Sequence, residues 1–197
     1  MNRIVLATRN AHKVEELRAI LAELGVAVDL VGVSEYPRVP DVAETELSFT
    51  GNALLKAVAV AEATGLPAIA DDSGICVDAL NGMPGIFSAR WAGKHGQDAA
   101  NLDLLLAQVA DVPDEHRGAQ FVCAAALAEP GGRQVVEVGR IEGTLLRERR
   151  GEGGFGYDPV FLPHGSAVST AQLSAAEKNR ISHRRRAFAA LAPHLPV

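Results

Sequence analysis

Two adjacent acidic residues, Asp71 and Asp72, follow the apolar residues 68–70 in the sequence Ala-Ile-Ala-Asp-Asp-Ser-Gly. Neighbouring carboxylates repel each other unless a cation, a basic group or solvent offsets their charge. Mg²⁺ prefers carboxylate oxygens and is often held jointly by protein carboxylates and the phosphates of a substrate. The pair therefore indicates a magnesium site for phosphate chemistry at the end of a buried strand, although an Asp-rich turn also explains these residues.

A second acidic segment, Ala-Glu-Thr-Glu at residues 43–46, stands just before a predicted helix and could supply another metal carboxylate. Acidic residues also favour helix starts, because the helix dipole attracts negative charge there. The sequence leaves both interpretations open. It also leaves open whether Glu44 or Glu46 would contact the metal.

The loop at residues 8–13, Thr-Arg-Asn-Ala-His-Lys, connects a predicted buried strand to a predicted helix. Free backbone N–H groups and the helix dipole attract anions at such a position, and Lys13 adds a full positive charge. The loop therefore indicates a phosphate site. The alternative is that Asn10 caps the helix and Lys13 is simply exposed.

Residues 151–156, Gly-Glu-Gly-Gly-Phe-Gly, match the dinucleotide-binding pattern G-x-G-x-x-G only in form. That pattern has to open a crossover helix, whereas Pro159 disfavours helical geometry at Asp158. The loop instead displays Phe155, Tyr157 and Asp158, an aromatic face and a carboxylate suited to stacking on a base and accepting its hydrogen bonds. A glycine-rich turn with an aromatic residue in the core is the alternative.

Charge is distributed unevenly along the 197 residues, which carry a net charge of −5 with histidine neutral. Residues 1–158 hold 14 basic and 23 acidic side chains, whereas residues 159–197 hold five basic and one acidic. The acidic balance argues against a nucleic-acid polymer as partner, because proteins that read nucleic acids usually carry a basic face. A local site for a small anion remains compatible with it.

The basic residues of the C-terminal segment belong to a predicted helical region that starts with a capping box at residues 174–177. On one continuous helix Lys178 and Arg184 would project about 120° apart and could not readily face one ligand. A break at Ser182, which could cap a second helix, would let them converge. A solvated basic face is the alternative, and we prefer it for residues 185–186.

Hydrophobic periodicity predicts the elements that must position these residues. Strands are predicted at residues 3–8, 26–33, 66–70, 120–128 and 134–141, and helices at residues 11–24, 48–64, 99–109 and from residue 175 onward. Strands and helices mix without strict alternation, which indicates an α/β chain. Its length and its 48% hydrophobic composition suit a single domain over residues 1–197. With no signal peptide or apolar run near ~20 residues, we expect a cytoplasmic protein without a membrane partner.

Taken together and in this order, these segments resemble the inosine triphosphate pyrophosphatase family, also called Ham1-like non-canonical purine nucleoside triphosphate pyrophosphatases. The resemblance covers nearly the whole chain. It rests on residues 7–13, residues 49–53 with Lys56, residues 70–74, residues 84–90, residues 153–159, and residues 177–178 with 182–184. Each segment is weak by itself, but six in register make a chance match unexpected.

The family implies an elongated mixed β-sheet with flanking helices and two lobes around a central nucleotide-binding cleft, usually in a homodimer. It also implies hydrolysis of ITP, dITP and XTP to the monophosphate and pyrophosphate with Mg²⁺. By motif, Asp72 would bind the metal and act as the base for water, Asp71 would support it, and Glu44 would be the other metal ligand. The substrate would contact Thr8, Arg9, Asn10, Ala11, His12, Lys13, Ser73, Phe155, Gly156, Tyr157, Asp158, Lys178, His183 and Arg184.

Three positions depart from the family pattern. Arg9 stands where a small residue is frequent, and Gly51 stands where Glu often precedes Asn-Ala. Glu44 and Glu46 are separated by Thr45 rather than being consecutive acids. Two other functions remain open from the sequence: a pyrophosphatase of the related Maf-like fold that prefers pyrimidine nucleotides, and a catalytically silent nucleotide-binding protein.

Overall fold

The computed structural model describes residues 2–196, apart from the side chain of His12. In this part of the chain the strands are β1 (Arg3–Leu6), β2 (Asp29–Gly32), β3 (Ala68–Val77), β4 (Gly118–Ala128), β5 (Gln134–Leu145) and β6 (Phe161–Pro163). The α-helices are α1 (Ala11–Glu23), α2 (Phe49–Thr64), α3 (Asp98–Gln108), α4 (Ala175–Ile181) and α5 (His183–Leu191). None of the helices in these residues is long and apolar enough to cross a lipid bilayer.

The six strands form one sheet in the order β2-β1-β3-β4-β5-β6. Strand β1 runs parallel to both β2 and β3, whereas β5 and β6 are antiparallel. The sheet is therefore mixed, and the predicted mixed α/β fold class is confirmed.

Local capping interactions fix the ends of two helices that carry site residues. The Ser48 hydroxyl accepts a hydrogen bond from the Gly51 backbone N–H at the start of α2, and Gly65 ends that helix in the left-handed conformation at φ 68°. Ser174 and Glu177 form the predicted capping box of α4. Ser182 separates α4 from α5, so the predicted break in the basic helical region is confirmed.

Strand β3 is longer than predicted, and this was an error of the sequence interpretation. It continues past Asp71 and Asp72 to Val77, so the two carboxylates lie inside the strand rather than at its end. Buried Ile75 and Val77 resume the apolar pattern. Gly74 keeps the strand packed, because a Cβ at this position would overlap the Gly85 carbonyl oxygen.

The chain folds into two compact units. The first unit comprises the chain up to Asp72, Cys123–Gly139 and the chain from Arg184 onward; the second comprises Ser73–Val122 and Arg140–His183. The prediction of a single domain over residues 1–197 stays a prediction.

Alternating residues of β1 face the two apolar clusters of the first unit. Ile4 and Leu6 pack in a cluster with Leu17 of α1 and Phe188 of α5, whereas Val5 packs in a cluster with Ala57 of α2. Successive strand residues point to opposite faces of a sheet. The sheet of this unit therefore has α1 and α5 on one face and α2 on the other.

The core of the second unit surrounds the outer part of β3 and the helix α3. Ile75, Leu105, Phe121, Tyr157 and Phe161 belong to this apolar cluster. The rings of Phe121 and Phe161 meet edge to face with centroids 4.6 Å apart. This core holds the segment that follows Gly154 against α3 and β4.

Candidate active site

A cavity of about 440 Å³ in the first unit collects several of the residues singled out by the sequence. Thr8, Arg9 and Lys13 from the β1–α1 segment contribute to its lining, together with Glu44 and Asp71. Its wall thus combines basic side chains with carboxylates, which suits an anion accompanied by a cation.

Asp71 is a buried carboxylate surrounded by basic groups. Nε and Nη2 of Arg184 donate to its Oδ2 at 3.3 and 3.0 Å, and Lys13 Nζ lies 3.8 Å from the same oxygen. Burial by itself would raise the pKa of Asp71, but the charges of Lys13, Arg184 and Lys56 lower that pKa well below its usual range. Asp71 is therefore ionised and serves as the counter-charge of this basic cluster.

Asp72 has a different environment although it is the next residue. Its Oδ2 accepts a hydrogen bond from Asn52 Nδ2 at 3.1 Å. Burial raises the pKa of Asp72 to about 6; Lys56 opposes the shift, and the negative charge of Glu44 adds to it. Adjacent carboxyl groups whose pKa values are pushed apart are typical of sites that divide acid–base roles between two residues.

Glu44 is held by Lys56, whose Nζ lies 2.6 Å from Glu44 Oε1. Both side chains line the cavity. Glu46 is exposed, and its backbone N–H donates to Asn52 Oδ1 at 3.0 Å. Of the two glutamates left open by the sequence, the geometry favours Glu44 as a ligand.

The carboxylates suit Mg²⁺, although the described residues contain no cluster of three or more His, Cys, Asp and Glu with metal-ligating geometry. Mg²⁺ is commonly bound through one or two carboxylates, with waters and substrate phosphates completing its shell. Glu44 and Asp72 are hard oxygen donors, which Mg²⁺ prefers. Burial raises the pKa of Asp72, Lys56 lowers it and the negative charge of Glu44 raises it. A bound cation would add to the offset from Lys56, so the donor chemistry of this pair suits the metal.

The β1–α1 segment has the strand-to-helix geometry expected from the sequence. Helix α1 starts at Ala11, and the Asn10 carbonyl oxygen accepts from the N–H groups of Lys13 and Val14. Thr8 Oγ1 accepts from the Asn10 N–H at 3.2 Å. The side chain of His12 lies outside the described part of the chain.

Arg9 links the two segments on either side of the cavity. Its Nε donates to Asp41 Oδ1 at 2.7 Å, and its Nη2 donates to the Val39 carbonyl oxygen at 2.6 Å. The larger side chain at this position is thus accommodated by contacts with the segment before Glu44.

Arg184 belongs to the first unit and is almost fully buried. In addition to its bonds to Asp71, Nη1 donates to Glu16 Oε2 at 2.9 Å. Arg184 therefore pairs with two acidic side chains, those of Asp71 and Glu16. Its predicted contact with the nucleotide stays a prediction.

The second unit holds an aromatic and cationic group of residues around Asp158. The buried Asp158 accepts from the Phe155 N–H at 2.8 Å and from Lys178 Nζ through Oδ2, and from the Thr170 hydroxyl at 2.9 Å through Oδ1. Lys178 Nζ lies 4.4 Å from the centroid of the Phe155 ring, which is 63% exposed. Asp158 therefore fixes an exposed aromatic face beside an ammonium group.

The remaining predicted residues of the second unit have contacts of their own. Tyr157 is buried and its hydroxyl donates to the Ser88 carbonyl oxygen at 2.8 Å, which makes it a core aromatic residue. The Gly156 N–H donates to Asp98 Oδ2 at 3.0 Å. Ser73 lies half-buried on β3, and the His183 ring stacks on that of Phe121 with centroids 5.1 Å apart.

The predicted residues are divided between the two compact units. The first unit holds Thr8, Arg9, Asn10, Ala11, Lys13, Glu44, Asp71, Asp72 and Arg184, and the second holds Ser73, Phe155, Gly156, Tyr157, Asp158, Lys178 and His183. The sequence indicated no role for Glu16 or Thr170, and it pointed to Asn52 and Lys56 only as parts of one motif. Asn52 and Lys56 are one helical turn apart, and this spacing was the signal in the sequence that both side chains lie on the same face of α2.

Comparison with known proteins identifies the family. The sequence model of the Ham1 family matches residues 4–194. The dITP/XTP pyrophosphatase of Streptomyces coelicolor is 64% identical over 193 residues, covering 98% of this chain and 96% of the relative. The corresponding protein of Nocardia farcinica is 56% identical over 196 residues, covering 99% and 95% of the two chains.

Solved structures agree with the sequence comparison. The crystal structure of the nucleoside-triphosphatase, or dITP/XTP pyrophosphatase, of Mycobacterium abscessus is 50% identical, with a TM-score of 0.82 and coverage of 99% of this chain and 100% of that one. A HAM1 protein from Coxiella burnetii is 40% identical, with a TM-score of 0.91 and coverage of 98% of both chains. The chain therefore belongs to the Ham1 family.

Proposed function

We propose that this chain is a nucleoside triphosphate pyrophosphatase that hydrolyses dITP, XTP and ITP to the monophosphate and pyrophosphate, and so removes them from the nucleotide pool. Its relatives in S. coelicolor and N. farcinica are named dITP/XTP pyrophosphatases. In this reaction a water oxygen forms a bond to one of the two phosphorus atoms of the α–β bridge, and the bond from that phosphorus to the bridging oxygen breaks, so that the monophosphate and pyrophosphate separate. The attacking water gives one proton to a base, which later releases it to solvent.

The observation that carries the proposal is the contrast between Asp71 and Asp72. Asp71 is held ionised by Lys13 and Arg184, whereas burial gives Asp72 a pKa of about 6. Lys13 and Arg184 stabilise the ionised form of Asp71, so Asp71 is the weaker proton acceptor of the two carboxylates. Asp72 is therefore the proposed acceptor of the proton from water, and Asp71 keeps the basic side chains oriented.

The triphosphate is assigned to the cavity of the first unit. Lys13 offers a charge that is 38% exposed, and Thr8 lines the same cavity. The start of α1 adds backbone N–H groups and the positive end of the helix dipole. These residues bind and orient the phosphates before water attacks.

Magnesium is the proposed cofactor, with Glu44 and Asp72 as its protein ligands. When bound, it would neutralise phosphate charge and lower the pKa of a coordinated water. Lys56 sets the position of Glu44, and Asn52 contacts Asp72.

The base is assigned to Phe155 and Lys178 of the second unit. The exposed ring of Phe155 offers a stacking face, and Lys178 offers ammonium donors beside it. A 6-oxo group accepts such a donor, whereas the 6-amino group of adenine is itself a donor and leaves the ammonium unpaired. We propose this difference as the basis for rejecting ATP.

A nucleotide panel with pyrophosphate and orthophosphate measured separately tests the function. We expect pyrophosphate from ITP, dITP and XTP, with much lower rates for ATP, GTP, UTP and dTTP. A preference for UTP or dTTP would instead support a pyrimidine-directed pyrophosphatase, and binding without turnover would support a silent nucleotide-binding protein. Orthophosphate as the first product would overturn the proposed bond cleavage.

We also propose a homodimer located in the cytoplasm, which the family resemblance supports. Light scattering coupled to gel filtration gives the mass of the particle in solution. A mass near twice 20.7 kDa is expected, and a monomeric mass at all concentrations would contradict the dimer.

A further inference from the structure

Asn52 is a fully buried amide on α2 that touches both segments bearing the proposed metal ligands. Its Nδ2 donates to Asp72 Oδ2 at 3.1 Å. Its Oδ1 accepts from the backbone N–H of Glu46 at 3.0 Å, two residues after Glu44. A single side chain thus joins the Asp72 carboxylate to the backbone next to Glu44.

The chemistry of the two partners fixes which way the amide faces. A backbone N–H can only donate and an ionised carboxylate can only accept, so the side chain between them needs one acceptor and one donor. Asn supplies both within one short, planar group. A leucine of similar size supplies neither and would leave the Glu46 N–H without its bond.

Lys56 lies one turn further along α2 and therefore on the same side of the helix as Asn52. It contacts Glu44 Oε1 at 2.6 Å, while Asn52 contacts Asp72. The two carboxylates are thus held by donors from one helix. Their separation depends on the rigid spacing of that helix.

We propose that Asn52 is a positioning residue for the divalent cation site, and that it sets the orientation of Asp72 and the path of the chain beside Glu44. This inference rests on the proposed function, which assigns Glu44 and Asp72 as the protein ligands. Partners that orient a metal ligand typically contribute a factor of about 10 to 100 in metal affinity. Loss of Asn52 is expected to weaken binding of the cation and to change nucleotide binding little once the cation is saturating.

Asn101 provides a matched control in the second unit. It is 1% exposed, and its amide has the same double use: Oδ1 accepts from the Ala92 N–H at 2.7 Å, and Nδ2 donates to the Ala89 carbonyl oxygen at 3.2 Å. Both of its partners are backbone groups. Asn101→Leu therefore reproduces the loss of stability caused by removing a buried amide, and it removes no hydrogen bond to a carboxylate.

The experiment compares Asn52→Leu and Asn101→Leu with the wild-type chain. Binding of Mn²⁺ alone is measured by electron paramagnetic resonance of the free ion. Weaker binding in Glu44→Gln would identify the measured site as the one that contains Glu44. The Mg²⁺ concentration for half-maximal turnover and the KM for ITP at saturating Mg²⁺ are then measured. Circular dichroism checks that each variant is folded, and if a leucine variant is unfolded the pair Asn52→Ser and Asn101→Ser replaces it.

We expect the Asn52 variant to weaken Mn²⁺ binding about 10- to 100-fold and to raise the half-saturating Mg²⁺ concentration by a similar factor. Its KM for ITP should change little once Mg²⁺ is saturating. The Asn101 variant should bind Mn²⁺ as the wild type does. Equal Mn²⁺ affinities in the two variants, or no Mn²⁺ binding by the wild type, would overturn the role of Asn52.

The two proposals can fail separately. If the wild type releases pyrophosphate from ITP but the Asn52 and Asn101 variants share its Mn²⁺ affinity, only the role of Asn52 is refuted. If no nucleotide is hydrolysed while the Asn52 variant alone loses Mn²⁺, the proposed function is refuted and the positioning role is supported.

Discussion

Replacing Arg184 by methionine removes a guanidinium from the buried acidic cluster and keeps an unbranched apolar side chain in place of the arginine stem. Arg184 and Asp71 have side chains only 8% and 6% exposed, and the nearest N–O distance is 3.0 Å. Breaking a buried ion pair by removing one partner costs about 3–5 kcal/mol, because the other charge stays buried. Lys13 Nζ, 3.8 Å from Asp71 Oδ2, still compensates part of the Asp71 charge. The expected loss of unfolding free energy therefore lies near the lower end of that range.

The expected loss of unfolding free energy is thus about 3 kcal/mol. For a chain of this size it corresponds to a decrease in Tm of about 6–12 °C. Urea unfolding without nucleotide or metal, followed by circular dichroism, measures the effect as a lower midpoint at an unchanged slope.

The neighbouring residue Arg185 is the matched control. Arg185 Nη2 lies 3.5 Å from Glu23 Oε2, and the side chains of Arg185 and Glu23 are 25% and 58% exposed. A pair accessible to solvent is worth about 0–1 kcal/mol. Arg185→Met should therefore change the unfolding free energy much less than Arg184→Met.

A double variant identifies the origin of the loss. Adding Asp71→Asn to Arg184→Met removes the buried charge that has lost its guanidinium partner and should recover part of the stability. Equal losses in Arg184→Met and Arg185→Met, or a further loss in the double variant, would refute the assignment of a buried charge cluster.

Three further predictions concern activity. Asp72→Asn should reduce turnover of ITP by about 10²- to 10⁴-fold with the fold intact; retained Mg²⁺-dependent turnover would contradict its role. Phe155→Ala should weaken nucleotide binding, since stacking on a base is worth about 1–3 kcal/mol. Phe87→Ala is its control, because Phe87 is also exposed beside a cation, Arg90, and an unchanged KM for Phe155→Ala would refute the stacking. At low Mg²⁺, log(kcat/KM) should fall below pH about 6 as Asp72 gains a proton. Saturating Mg²⁺ favours the ionised carboxylate and should move this fall to lower pH, and a pH-independent rate would exclude Asp72 as the base.

Much of the local structure could be predicted because its causes are local. The start of α2 after Ser48, its end at Gly65 and the start of α4 after Ser174 follow from capping groups within a few residues. The alternation of Ile4, Val5 and Leu6 between two apolar clusters follows from the period of a strand. The length of β3 was missed because its continuation depends on contacts of Gly74 with residues further along the chain.

The contacts of Asp158 show the limit of the sequence at one residue. Asp158 was expected to accept hydrogen bonds from a base, and this stays a prediction. In the structure its oxygens accept hydrogen bonds from Thr170, Lys178 and the Phe155 N–H. Two of these partners come from later segments, and nothing in the spacing of the loop pointed to them.

The sequence by itself identified the family through motifs in register, and it determined the approximate order of the first five strands and the main helices, because these follow from local periodicity. It could not distinguish Asp71 from Asp72, which are identical side chains in adjacent positions. Only the tertiary structure separates them: Arg184, 113 residues away in the chain, reaches Asp71, whereas Asn52 reaches Asp72. The pKa of a buried carboxyl depends on the charges and donors around it, and folding alone brings those groups together.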